Sequence, residues 1–364
     1  MGVDKTLKAF GIKVIARVTK EQQIIISDNV ATKISNEFNY IDYGYVYKKL
    51  MIAKMYIAQI PEGLSRAIYM YEEDTLYISD EEDINNISEE LMHECIHTIQ
   101  DIRDKKGNVK QLGQCIFSEF KVYAMALNEA SIQYIVSKMY DKEIEFAQAY
   151  GIKAKTYSTN RYPLICNIIL QLLYIASPEK LVTSTIYSKD SFIIDCIESL
   201  GGELSFTNIQ SNLDDMLYAS EKITGLKRDA KKGELEDAEK IVKQIYEQEE
   251  LIRRLYMDCQ MSIFTMYFDR LYGNLETTED IEYYKKKLEG YEDLFGTFVN
   301  KDEEYFSRYY QNYCAGKFEK LKEMELEIEK RNNLALTVVS ENVIEQLFKK
   351  IKKLFLKVKN RMWN

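Results

Sequence analysis

The sequence contains two histidines, and they stand four residues apart in the segment HECIH. His93 and His97 form its ends, and Glu94 directly follows the first. On an α-helix, residues at this spacing lie on one face, so the two imidazoles can hold the same metal ion. A neighbouring carboxylate can take a proton from a water molecule bound to that ion. The pattern is the H-E-x-x-H motif, and it predicts a zinc site with Glu94 as general base.

The residues around the motif divide between two faces of a helix. With about 100° of rotation per residue, His97 lies about 40° and Glu94 about 100° from His93. Apolar residues fall on the other side, between about 160° and 300°. They are Leu91, Met92, Cys95, Ile96, Ile99 and Ile102. We expect that side, Cys95 included, to pack in the core. The alternative is a pair of ordinary histidines, but spacing, Glu94 and the opposed apolar face together favour a metal site.

The third metal ligand must be sought elsewhere in the chain. A catalytic zinc site usually has three protein ligands and leaves a fourth position for water. No third histidine exists, so Asp, Glu, Cys or Tyr must serve. Glu119 and Glu129 both stand in the apolar segment CIFSEFKVYAMALNEASIQYIVSKMY, which we predict to be one helix. A charge in such a helix is costly unless it is paired or bound to metal. Glu129 is favoured because Ala126 and Ala130 leave room for close approach.

HECIH followed by a helix with LNEA resembles the gluzincin branch of the zincin metallopeptidases. In that family HExxH lies on one helix and a glutamate on a second. The resemblance implies that His93, His97 and Glu129 are zinc ligands and that Glu94 is the general base of peptide-bond hydrolysis. The segment AIYMYEEDTLYIS resembles the strand that lines such clefts and pairs with an extended substrate. Cys95 replaces the family's usual bulky apolar residue, and the gap to Glu129 exceeds that of thermolysin-like members, so no subfamily is assigned.

The proposed reaction also needs a donor for the tetrahedral oxyanion. Both histidines are already used as ligands, so a tyrosine or an arginine must supply it. The segment TYSTNRYPLICN offers Tyr157, Arg161 and Tyr162 just after the Glu129 helix. We choose Tyr162. The alternative is that Tyr162 is a core or interfacial residue, since the chain has 28 tyrosines.

The elements that must position these residues are strands early in the chain and helices later. IKVIARVTKEQQIIIS is typical of two short strands, and AIYMYEEDTLYIS of a hairpin or a bent strand. The HECIH helix is predicted to begin at a capping pair of Asn86 and Glu89 and to end before Gly107. Other helices are predicted over about 29–60, 115–140, 162–176, 190–200, 208–223, 234–272, 278–294, 302–332 and 341–362. The fold class is therefore α+β, mainly α, with a small sheet within about the first 80 residues.

The charged stretch LKRDAKKGELEDAEK is the best candidate boundary. We predict a zincin-like catalytic domain over residues 1–225, a helical bundle or arm over 226–340 and a basic amphipathic helix over 341–364. In that last helix apolar residues recur at helical spacing from Leu347 to Met362, with lysines between them. Such a helix can lie on an anionic membrane surface, which predicts peripheral contact through 347–363. The alternative is a packing helix whose lysines face water or the acidic body.

Charge, cysteine pattern and hydropathy indicate which partners the protein can bind and in which cellular compartment it is expected. The net charge of −9 argues against a nucleic-acid partner. None of the six cysteines forms a CxxC pair, which predicts buried, reduced thiols. The start of the chain lacks an apolar run with a small-residue cleavage site, and no apolar stretch is long enough to span a membrane. We therefore predict a cytoplasmic protein. Abundant Ile, Lys, Asn and Tyr with 3 Pro are typical of a bacterial sequence.

The leading hypothesis is a zinc metallopeptidase acting on a protein or peptide substrate. One alternative is a zincin-fold module that binds metal for an interaction or regulatory role without peptidase activity. Another is a helical scaffold with an incidental HExxH. The presence of Glu94 favours a catalytic zinc site, because a structural zinc site needs no base and usually has four protein ligands. The sequence leaves the oligomeric state open.

Overall fold

The computed structural model shows a mainly helical chain with several small sheets, which confirms the predicted class α+β, mainly α. It describes residues 7, 10–118, 121–230, 235–295, 298–299 and 308–331. The chain divides into two compact units. The first comprises Met1–Arg270 with Leu294–Tyr305, and the second Leu271–Asp293 with Phe306–Asn364. The candidate site lies in the first unit.

The first sheet contains the hairpin that borders the site. Its strands are β1 (Lys13–Arg17), β2 (Lys54–Gln59), β3 (Ala67–Met70) and β4 (Thr75–Ser79), in the order β1-β2-β4-β3. Strand β2 runs parallel to β4, and the other pairs are antiparallel. The predicted hairpin over AIYMYEEDTLYIS is confirmed, with Asp74 at a φ of +53° in its turn. Strand β3 therefore lies at an edge of the sheet.

Two predictions for the first 60 residues are wrong. The segment IIIS belongs to helix α1 (Lys20–Glu37) and forms no second strand. A capping box starts this helix: the side chain of Thr19 accepts from the Gln22 amide, and that of Gln22 accepts from the Thr19 amide. The predicted helix over 29–60 is instead the end of α1, helix α2 (Tyr43–Ile52) and strand β2.

Helix α3 (Glu89–Gln100) carries the HECIH motif. Its N-cap is Ser88, whose Oγ accepts from the Leu91 amide at 3.2 Å, so the predicted Asn86–Glu89 pair is not the cap. The helix ends at Gln100, earlier than predicted, because strand β5 (Asp101–Arg103) begins there. The predicted packing face is confirmed for five residues, all fully buried: Leu91, Met92, Cys95, Ile96 and Ile99. The sixth residue of that face, Ile102, lies in β5 and is partly exposed.

Two further sheets contradict the prediction that strands are confined to the first 80 residues. One is an antiparallel meander of β5, β6 (Val109–Leu112), β7 (Cys115–Phe117) and β8 (Val122–Tyr123). The other pairs β9 (Glu145–Ala149), β10 (Ile152–Thr156) and β11 (Phe298–Val299), so even residues beyond 225 contribute a strand. In β10 buried residues alternate with the lysines between them, the period of two that marks a half-buried strand.

Helix α4 (Met125–Met139) is shorter than the helix predicted over about 115–140. Strands β7 and β8 occupy the first part of that segment. Glu119 lies outside the described residues. The expectation that Glu119 and Glu129 share one helix is wrong, because the helix begins only at Met125.

The rest of the described chain is mostly helical. These helices are α5 (Pro163–Ile175), α6 (Pro178–Tyr187), α7 (Ser191–Leu200), α8 (Glu203–Ala230), α9 (Leu235–Gly273), α10 (Thr278–Phe295) and residues 308–331. The boundary predicted near residue 225 falls within α8, and the predicted domains stay predictions. The predicted basic helix over 341–364, with its membrane contact at 347–363, lies outside the described residues. All six cysteines are buried and have no disulfide partner, as predicted.

The described helices include none that is by itself long and apolar enough to cross a membrane. Only α5 and α6 taken together reach that length and composition, across a bend of 120°.

Candidate metal centre

Three side chains from two helices converge on one point. The Nε2 atoms of His93 and His97, both on α3, lie 3.1 Å apart. Glu129 on α4 places Oε2 3.2 Å from the nitrogen of His93 and Oε1 3.2 Å from that of His97. Ligand atoms around a tetrahedral ion at about 2.0–2.1 Å are about 3.3 Å apart, so these separations fit one ion. The group can hold a metal ion.

The electrostatics of the group also favour a cation. Burial lowers the pKa of His97, but the charge of Glu129 and a hydrogen bond with it raise the pKa more, so the net shift is upward. Burial raises the pKa of Glu129, but the two histidines lower it well below its usual value. The half-buried carboxylate of Glu129 faces two imidazole nitrogens, and positive charge between them would stabilise the group. Either a proton on an imidazole or a metal ion can supply that charge.

Gln133 contacts the other ring nitrogen of His93. Its amide nitrogen Nε2 lies 3.1 Å from Nδ1. Either end of the amide can face this atom. With the carbonyl oxygen inward, Nδ1–H donates to Gln133 and leaves the Nε2 lone pair for a metal ion, as in most histidine ligands. Gln133 stands four residues after Glu129, one helical turn on, and this spacing puts both side chains on one face of α4.

Tyr69 on the edge strand β3 is in contact with both His97 and Glu94. Its ring lies parallel to that of His97, with centroids 6.5 Å apart and 10° between the planes. Its hydroxyl donates to Asp101, which forms an ion pair with Arg103 at 2.6 Å. Its backbone N–H donates to Oε2 of Glu94 at 2.8 Å. This last bond fixes one carboxylate oxygen of the predicted base, and sequence reasoning had no signal for it.

The metal-binding group opens into a cavity of about 570 Å³. That volume is within the usual range for ligand sites in proteins. Part of the lining is apolar, contributed by Ile68, Tyr71, Leu112 and Met125. Part is polar, contributed by Asn160, Arg161, Tyr162 and Ser220. The site residues predicted from the sequence all line this one cavity: His93, Glu94, His97, Glu129 and Tyr162.

The tyrosines of the TYSTNRYPLICN segment occupy different environments. Tyr162 is the N-cap residue of α5, with a φ of +49°, and it lines the cavity. Burial raises its pKa, and the charge of Glu129 raises it further, so its hydroxyl keeps its proton at neutral pH. Tyr157 is buried, and its hydroxyl donates to the Ala130 carbonyl at 2.7 Å. Tyr157 therefore supports α4, and Tyr162 is the tyrosine of the two that faces the cavity.

Helix α4 lacks an N-terminal cap of its own. Its N-cap residue, Ala124, has a φ of +60° and no side chain that can accept a hydrogen bond. Asp214 on α8 takes this role by accepting from the amides of Ala124 and Ala126, both at 2.9 Å. Because Asp214 stands 90 residues from Ala124, no local pattern predicts this contact.

Comparison with protein-family models, with curated proteins and with solved structures found no match to this chain.

Proposed function

We propose that this protein is a zinc-dependent hydrolase of the gluzincin type, with a zincin-like catalytic region, that cleaves peptide bonds. The observation that carries the proposal is the position of Glu94. Its carboxylate lies beside two histidines that can bind metal, and it faces the same cavity. A purely structural zinc site usually has four protein ligands and needs no base. Here two histidines and one glutamate supply three, which leaves a position for water.

The arrangement of the side chains supports a division of roles. Zinc bound by His93, His97 and Glu129 would acidify a water molecule and polarise a carbonyl group. The Tyr69 amide holds Oε2 of Glu94, so Oε1 is available to accept a proton from water in the cavity. The same carboxyl group can then return that proton to the leaving amine.

Tyr162 is the proposed donor to the developing oxyanion. It lines the cavity, and its raised pKa keeps the hydroxyl protonated. A donor already in place in the cavity before the reaction needs little reorganisation, which is the general basis of this kind of stabilisation.

The position of strand β3 favours a peptide as the substrate. It lies at the sheet edge, and its residues Ile68 and Tyr69 line the cavity. An extended peptide can pair with such an edge through main-chain hydrogen bonds. A cavity beside a strand edge thus offers both a reactive centre and a surface that aligns a chain.

Metal analysis is the first test. Two histidines and one carboxylate also bind iron(II) in oxygenases. Purified protein should contain one zinc ion per chain by elemental analysis, and His93→Ala should lose it. Iron in place of zinc, or unchanged zinc in His93→Ala, would contradict the proposed site.

Glu94→Gln is the second test. It should keep zinc and lose hydrolysis of a peptide library by about 10²–10⁴-fold, because it removes the base and no ligand. Glu89→Gln, an exposed change on the same helix, is the matched control and should retain activity. Zinc-loaded wild-type protein that cleaves no peptide would refute the enzyme and favour a metal-binding module.

A further inference from the structure

Arg161 has a position in the cavity that the proposed reaction does not use. Its guanidinium lies in the wall of the main cavity, and it also lines a second cavity of about 220 Å³. Asn160 also lines both cavities. These two residues therefore lie where the cavities meet. The side chain of Arg161 is 35% exposed, so a ligand in either cavity can reach it.

The contacts of Arg161 are loose. Its Nη2 lies 3.9 Å from Oε1 of Glu90 and 3.4 Å from Oγ of Ser65. Charged N–H···O bonds are normally about 2.7–2.9 Å long. Glu90 is held more firmly elsewhere, because its Oε2 accepts from the Arg66 amide at 2.7 Å. The guanidinium has several N–H donors, and the contacts described for it engage only Nη2.

The contact of Arg161 with Glu90 relates its position to that of Glu94, the predicted base. Its neighbour Glu90 lies four residues before Glu94, which is about 6 Å along α3 at a rise of about 1.5 Å per residue. One residue of an extended peptide spans about 3.3 Å. A group one or two residues from a bond held at Glu94 would therefore lie beside the guanidinium.

We infer that Arg161 binds a carboxylate of the peptide substrate, one or two residues from the cleaved bond. This inference rests on the proposed function. Arginine matches a carboxylate with two parallel N–H donors, and the loose contact with Glu90 can be replaced without breaking a tight ion pair. Glu90 and Glu129 would otherwise repel an anionic substrate, and the positive charge of Arg161 in the lining of the main cavity offsets this repulsion. Lys142 lines the second cavity but forms an ion pair with Glu89 at 2.7 Å. The carboxylate can be the chain terminus or an acidic side chain.

Peptide hydroxamates test this with zinc-loaded protein, because they bind the metal whether or not hydrolysis occurs. Two matched pairs are needed: a free C-terminus against its amide, and an aspartate side chain against asparagine. Calorimetry should show that wild-type protein prefers the carboxylate of one pair by about tenfold or more, the scale of a hydrogen bond to a charged group. The pair that shows the preference identifies the source of the carboxylate.

Arg161→Gln should abolish that preference while zinc content and the thermal midpoint stay unchanged. Arg161→Lys should keep only part of it. Arg66→Gln is the matched control, because Arg66 is exposed just before β3 and the substitution changes the net charge equally. An equal loss in Arg66→Gln, a preference that survives in Arg161→Gln, or no preference in wild type would each overturn the inference.

These outcomes differ from failure of the proposed function. A carboxylate preference in a protein that cleaves no peptide would refute the enzyme and leave Arg161 as an anion-binding residue. Cleavage without a preference would refute the role of Arg161 alone. No binding of any hydroxamate would refute both.

Discussion

The side-chain amides of Gln100 and Asn128 hydrogen-bond each other in both directions, each at 3.2 Å. Gln100 ends the helix that carries both histidines, and Asn128 precedes Glu129. Oδ1 of Asn128 also accepts a hydrogen bond from the backbone N–H of Gln114. A Cβ on Gly113 would lie 2.1 Å from Oδ1 of Asn128, so a glycine is required beside this pair. The buried amide pair thus fixes the helix that carries His93 and His97 relative to the helix that carries Glu129.

Asn128→Ala should therefore weaken both stability and metal binding. It leaves buried groups of Gln100 and Gln114 without partners, which should cost about 2–4 kcal/mol in the free energy of unfolding. Zinc affinity should fall by about tenfold or more, as for loss of an indirect support. Urea unfolding of the metal-free protein and a chelator competition would measure the two effects. Asn86→Ala, an exposed change, is the control. Wild-type zinc affinity in Asn128→Ala would contradict the positioning role.

The cap that Asp214 supplies to α4 leads to a second prediction. Asp214→Ala should lower the free energy of unfolding by about 1–2 kcal/mol, as loss of an N-cap does. Zinc affinity should fall too, because Glu129 lies in the second turn of the uncapped helix. Its neighbour Asp215 is exposed, so Asp215→Ala is a control with the same charge change. If the two variants are equally stable, the capping contact does not hold the helix.

The parts of the site that were predictable are those that depend on local periodicity. The turn of a helix determines which side of HECIH packs and which side carries the imidazoles, so His93, Glu94 and His97 follow from spacing alone. Glu129 followed from an apolar context that makes an unpaired charge costly. In each case the signal lies within a few residues of the group concerned.

The parts that were missed depend on contacts between distant segments. The backbone amide of Tyr69 holds Glu94, and Asp214 caps α4, yet neither is near its partner in sequence. The long helix predicted over 115–140 failed because apolar composition alone does not separate a strand such as β7 from a helix. Strand β10 was missed although Lys153 and Lys155 alternate with buried residues.

The third ligand gives a prediction that separates two glutamates. Glu129→Ala should reduce zinc affinity by more than the 10–100-fold typical of indirect supports, since it removes a direct ligand. Glu119→Ala should leave the zinc in place. Competition with a chelator of known affinity measures both. A site emptied by Glu119→Ala and still filled in Glu129→Ala would refute the gluzincin assignment.

Zinc binding should also depend on pH. Burial lowers the pKa of His97, but the charge of Glu129, the hydrogen bond with it and the contributions of Glu94 and Gln100 together raise the pKa above its ordinary value. His97 therefore keeps its proton to a higher pH in the metal-free protein. Zinc must displace that proton. Apparent affinity should thus decline as pH falls through the raised pKa, by about tenfold per pH unit below it. Calorimetry in buffers of different ionisation enthalpy should detect the released proton. An affinity that is constant from about pH 6 to 8 would contradict this shift.

Tyr162→Phe is the test of the oxyanion donor. The substitution keeps the ring that lines the cavity and removes only the hydroxyl, so zinc content should not change. The rate constant kcat should fall by about 10²–10³-fold with little change in KM, because the hydrogen bond forms in the transition state. Tyr150→Phe is the matched control, since Tyr150 lines the same cavity and its hydroxyl is bonded to Ser220 at 2.9 Å. If both variants lose activity equally, or if Tyr162→Phe keeps wild-type kcat, Tyr162 only lines the cavity and is not the oxyanion donor.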